Sequence, residues 1–130
     1  MNKRKLVSYR ILLLVALALL IASGYFYWTK GVYVSITNST QNTLKHIDII
    51  YSGGIIDIPE LAPSTSCGQY INPDWESDLT LEWFDSSGAK HSHTIGEYIE
   101  HNYAGSVEIT LEPDNKVSVT SKIRLMPWPL

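Results

Sequence analysis

The sequence has one cysteine in 130 residues, so no disulfide within the chain can staple it. It is too short for a large α/β enzyme, which needs roughly 200 residues or more. It offers no Ser–His–Asp or Cys–His arrangement legible from spacing, and no nucleophile motif. It lacks the Cys…Trp…Cys pattern of antibody domains. It lacks internal repeats and any amphipathic helix of more than two turns. It also lacks acidic residues before Lys30. What remains is room for one ordinary domain and a short appendage, with apolar residues spread unevenly between them.

The unevenness is greatest at the start. Lys3, Arg4, Lys5 and Arg10 precede Ile11–Trp28, 18 residues without a charge. As a helix this run is about 27 Å long, close to the ~30 Å hydrocarbon core of a bilayer. Tyr25, Phe26, Tyr27 and Trp28 cluster at one end, where amphipathic rings settle among headgroups, and Lys30 follows. The reading is a basic cytoplasmic N-terminus (1–10) and a transmembrane signal anchor (11–28). An exported domain (29–125) and a tail (126–130) complete the chain. Four cations before the span against one just after predict a cytoplasmic N-terminus and a C-terminal domain on the far side, read as a bacterial periplasm. The alternative is a cleaved signal peptide, for which Ala22-Ser23-Gly24 supplies small residues. No cysteine follows that site, so a lipoprotein anchor is excluded. A helix buried in a soluble bundle would need helical partners, and none follow.

From Lys30 onward six cations face 13 acidic residues, a net charge of −7. That argues against nucleic acid and anionic lipid as partners of the domain, because counterion release requires a basic surface. A basic protein partner suits it.

The exported part alternates with period 2. Val32, Val34 and Ile36 form one row; Ile47, Ile49 and Tyr51 another; Leu79, Leu81 and Trp83 a third; Val107, Ile109 and Leu111 a fourth. Val117, Val119 and Ile123 continue the pattern, interrupted by Ser121. One apolar and one polar face mark a half-buried antiparallel strand. Turn chemistry falls between the rows at 38–42, Ser52-Gly53-Gly54, Ser86-Ser87-Gly88 and Pro113-Asp114-Asn115. Shorter strands are expected at Ile55–Ile58 and Cys67–Ile71, with Pro59 and Pro63 suiting an edge or loop. Gly96–Asn102 has room for one short helical turn. The expected fold is mostly β: an N-terminal transmembrane helix, then a small antiparallel β-sandwich of seven or eight strands with immunoglobulin-like architecture. Trp83, Leu79, Leu81, Ile47, Ile49, Val107 and Ile109 are its expected core.

Among candidate chemical groups, His91 and His93 stand two apart on a strand, so both rings point to one face and can reach one metal. A full site needs further ligands, for which His46, Glu97, Glu100 and His101 are the candidates; otherwise the two are solvent-facing histidines. Asp74, Glu76 and Asp78 lack the glycine and distal Glu of a calcium loop and read as a solvated turn. Cys67 reads as a small buried hydrophobe, or as a thiol able to pair with another chain. Asn38-Ser39-Thr40 fits the glycosylation acceptor pattern, or simply a polar turn. Between Gly96 and Gly105, Tyr98, His101 and Tyr103 are material for a protein-binding patch, Trp128 being a further anchor in the tail. The bland alternative is a corner tyrosine whose hydroxyl bonds to the backbone.

Together these observations predict a non-enzymatic, membrane-anchored module that binds another protein, with no cofactor and no small-molecule substrate. In layout it resembles the membrane-anchored immunity proteins that neutralise periplasmic toxins, and it fits an accessory subunit of an envelope complex equally well. The alternative is a metal-binding or enzymatic β-domain built on His91 and His93.

Overall fold

The computed structural model describes residues 2–28, 31–101 and 103–125. The chain divides into two compact units, 1–30 and 31–130. The first is helix α1, Lys3–Trp28. It starts eight residues before the uncharged run, because nothing between Lys3 and Arg10 breaks a helix. From Ile11 onward its residues are uncharged and apolar without a single stripe, and the helix is long and apolar enough to cross a membrane. Ser8 and Ser23 donate to the carbonyls of Arg4 and Leu20, so both hydroxyls are satisfied within the helix.

The second unit holds eight strands among the described residues: β1 Val32–Asn38, β2 Leu44–Tyr51, β3 Gly54–Leu61, β4 Ser66–Ile71, β5 Ser77–Phe84, β6 Lys90–Ile99, β7 Tyr103–Glu112 and β8 Lys116–Leu125. They form two four-stranded sheets, ordered β4-β1-β7-β8 and β3-β2-β5-β6. The buried rows of both sheets build one hydrophobic cluster, which contains all seven expected core residues. β3 and β4 extend beyond the short runs expected. Pro59 lies within β3, tolerated because β3 is an edge strand.

Two expectations are corrected. Pairing is not wholly antiparallel: β1 runs parallel to β7, with Val34 beside Val107 and Ile36 beside Ile109. Alternation shows which face a residue takes but not which strand lies next to it. Among the described residues of 96–102 there is no helical turn either, because β6 continues to Ile99. Ser77 pairs with Ile99 and Leu79 with Ile95, so two extra residues are accommodated on β6. The four-residue spacing of two buried isoleucines, which imitates a helix, comes from a bulge.

A second bulge lies between Lys45 and Asp48 on β2. His46 there has φ 52, and the extra residue lets Leu44 and Ile47, three apart, both point inward. The β1–β2 turn is tied by Asn38, which is fully buried. Its Nδ2 donates to the carbonyls of Asn42 (2.8 Å) and Leu61 (2.9 Å), and its Oδ1 accepts from the amide and hydroxyl of Thr40. Burial of this amide is thereby compensated. Its nitrogen is already engaged inside the fold, which favours the polar-turn reading over glycosylation.

Candidate functional site

At the end of the domain where β1 begins, three connections meet: the β2–β3 tip at Ser52–Gly53, the β4–β5 segment at 72–76, and the β6–β7 turn after Ile99. The β4–β5 segment is pinned at both shoulders. Pro73 is buried, and the Asp74 amide donates to the Ser52 carbonyl (3.1 Å). Ser77 is buried; its hydroxyl accepts from the Ser52 amide (2.7 Å) and donates to the Asp78 carbonyl. Between these shoulders Trp75 projects with 78 % of its surface exposed. Sequence reasoning took this stretch for a merely solvated turn. The signal was present: an indole between two carboxylates has no apolar row to join.

At the same end stands Tyr98, carried on the β6 bulge, half exposed and within reach of Glu76, the residue after Trp75. Its hydroxyl donates to Glu100 Oε1 (2.5 Å). The carboxylates of Glu100 and then Glu76 hold the phenol pKa well above its usual value, because each favours the protonated form. The partner of the hydroxyl is therefore a side chain, not the backbone of a tyrosine corner. Tyr98 and Tyr103 meet edge to face, centroids 6.4 Å apart. Tyr103 is partly buried against the core, and His101 is exposed in the turn. Three of the expected binding residues, Tyr98, His101 and Tyr103, thus share one end with Trp75; Trp128 lies outside the described residues. Tyr33 and Tyr70, opposite one another on β1 and β4, add a second edge-to-face pair at 5.1 Å.

The histidine pair is arranged differently. His91 lies opposite Trp83 and His93 opposite Leu81, so both occupy the core-side face of β6, an edge strand. His91 stacks on Trp83 with centroids 5.2 Å apart, and its Nε2 lies 2.6 Å from Asp85 Oδ2. Asp85 Oδ1 accepts from the Ser87 amide (2.9 Å), the Ser87 hydroxyl (2.6 Å) and the Ala89 amide (3.0 Å). The donors, led by Ser87 and then His91, hold the Asp85 carboxyl well below the usual carboxylate range. His91 therefore clasps the β5–β6 hairpin, while His93 is exposed. Among the described residues no three His, Cys, Asp or Glu side chains converge on a metal position.

Of the other singled-out groups, Asp74, Glu76 and Asp78 are exposed. Cys67 is partly buried against the core, and burial pushes its thiol pKa up. One polar feature escaped sequence reasoning. Asp48 pairs across strands with Asp57 on one side and Glu82 on the other. Desolvation, then the charges of Asp57 and Glu82, raise its pKa. Only strand pairing could reveal this row.

No family profile matches the chain, and no curated protein matches it. The fold itself defines the class: a mostly β domain of two antiparallel-rich sheets preceded by one apolar helix. Among solved structures the chain is similar to the NMR structure of a protein from Eubacterium rectale. The TM-score is 0.51 and the identity 16 %, covering 71 % of this chain and 88 % of that one. At that identity the likeness is one of fold alone.

Proposed function

We propose that this chain is a membrane-anchored, non-enzymatic binding module. Helix α1 remains attached and spans the cytoplasmic membrane with its N-terminus inside. The two sheets form an immunoglobulin-like sandwich on the periplasmic side. The aromatic end of that sandwich, centred on Trp75 and Tyr98 with His101 and Tyr103 beside them, binds another protein. An immunity protein and an accessory subunit of an envelope complex both fit this description.

One observation carries the reading: a tryptophan held out to solvent on a pinned segment, at the same end of the domain as a half-exposed tyrosine. Rigid amphipathic rings supply large contact area at low entropic cost, and Trp and Tyr dominate interface hot spots. A photo-crosslinking residue at position 75 of the full chain, irradiated in native membranes, should give a discrete protein adduct. Tyr98→Ala should weaken the adduct. The same probe at Ser87, on the opposite end, should give none. Equal adducts from 75 and 87, or only lipid adducts from 75, would refute the reading. A phosphatase active only outside the cytoplasm, fused after Leu130, should be active; an inactive, normally expressed fusion would reverse the topology.

A further inference from the structure

The sheets end on four edge strands: β3, β4, β6 and β8. An unpaired edge is a template for another strand, and proteins protect such edges with proline, bulges, short length or charge. Three of these four are protected by their backbone. β3 carries Pro59, β4 is the shortest of the eight described strands with six residues against ten for β8, and β6 is bulged after Ile95. β8 has none of these devices. It pairs with β7 through ten consecutive positions in unbroken register, from Lys116 opposite Glu112 to Leu125 opposite Tyr103.

Among the described residues charge is the only protection β8 has, and it is one-sided. Lys116, Lys122 and Arg124 lie on its exposed row with Ser118 and Thr120, and β8 contains no acidic residue. Three of the six cations from Lys30 onward therefore sit on one strand of a domain with net charge −7. Lys116 faces Glu112 on β7. Lys122 faces Ser106 and Arg124 faces Ala104, and neither cation forms an ion pair with a described residue. Pairing with a second copy of β8 would set this cation row against itself, which repels. An acidic strand meets the opposite situation. On the other face of β8, Val117, Val119 and Ile123 are only partly buried against the core. They leave apolar surface at the rim that the next strand would cover.

We propose that the free edge of β8 receives an extended segment of a partner protein by strand addition. The segment alternates acidic residues, which face Lys122 and Arg124, with apolar residues, which continue the Val119–Ile123 row. This surface is separate from the Trp75–Tyr98 end, so either stands if the other fails.

The test uses the full chain in detergent micelles and a labelled, capped octapeptide alternating Glu and Val. A Lys–Val counterpart and protein-free micelles serve as controls. The Glu–Val peptide should bind saturably, about tenfold tighter than its Lys–Val counterpart, with the preference shrinking as salt is added. Amide exchange should slow along β8 and not along β3 or β4. The double variant Lys122→Glu, Arg124→Glu alters two exposed side chains and should reverse the peptide preference. Equal binding of both peptides, slowed exchange at another edge, or an unchanged preference in a normally folded double variant would overturn the proposal. If the double variant does not fold, the peptide preference and the exchange pattern of the unmodified chain decide the question.

Discussion

Trp83 is the side chain whose removal the domain should feel most. It is 3 % exposed, sits on an interior strand between β2 and β6, and stacks on His91. A tryptophan buries about 150–250 Å². At ~25 cal/mol per Å² that gives roughly 4–6 kcal/mol as an upper bound for transfer. Substitution by alanine retains a small part of this but adds the cost of a cavity. Trp→Ala in cores costs about 3–5 kcal/mol. His91, on the edge strand next door, has room to relax into the space, which places Trp83→Ala near the lower end, about 3 kcal/mol. For a domain with a stability of about 5–15 kcal/mol, that is a fifth or more of the total. Phe84 is the internal control. It faces the other side of β5, is only partly buried, and meets His46 edge to face at 5.9 Å. Phe84→Ala should cost about 1 kcal/mol. Guanidinium melts of the full chain in micelles, followed by near-ultraviolet circular dichroism, measure both. A larger midpoint shift for Phe84→Ala than for Trp83→Ala would refute the face assignment of β5, since adjacent strand residues point to opposite faces.

Two further outcomes follow from the geometry. Asp85 ionises more readily in the folded chain than unfolded, so its contribution to stability is present above the ordinary aspartate pKa, about 3.9, and fades as pH falls below it. Wild type should therefore melt above Asp85→Asn at neutral pH, with the gap closing in acid; thermal melts that stay parallel across that range would contradict it. Gly105 has φ +128, and a Cβ there would lie 1.8 Å from the Lys122 carbonyl oxygen on β8. Gly105→Ala should lower stability by about 3 kcal/mol in the same denaturant assay, and a wild-type midpoint would show that the β7–β8 register is not as described.

Local sequence determined the parts of this protein that depend on periodicity. An uncharged run of 18 residues can be little other than one long apolar helix. Strict alternation at Val32–Ile36, Leu79–Trp83 and Val107–Leu111 put those residues into the core, because side chains on a strand alternate faces whatever its neighbours are. The hairpin tips at Ser86–Gly88 and Pro113–Asn115 were legible for the same local reason; Asp114 and Asn115 adopt positive φ there. Tertiary structure decided whatever depended on partners. The parallel pairing of β1 with β7 set the sheet order. The β6 bulge turned an apparent helical spacing into a displaced Tyr98 beside Glu76 and Glu100. Pairing also turned the His91–Ser92–His93 pattern into a hairpin clasp, because Asp85 and Trp83 both engage His91. The edge position of β8 belongs to the same category. Backbone propensity and alternation act over a few residues, whereas strand neighbours, bulges and edges arise only when segments far apart in sequence compete for the same hydrogen bonds and the same core.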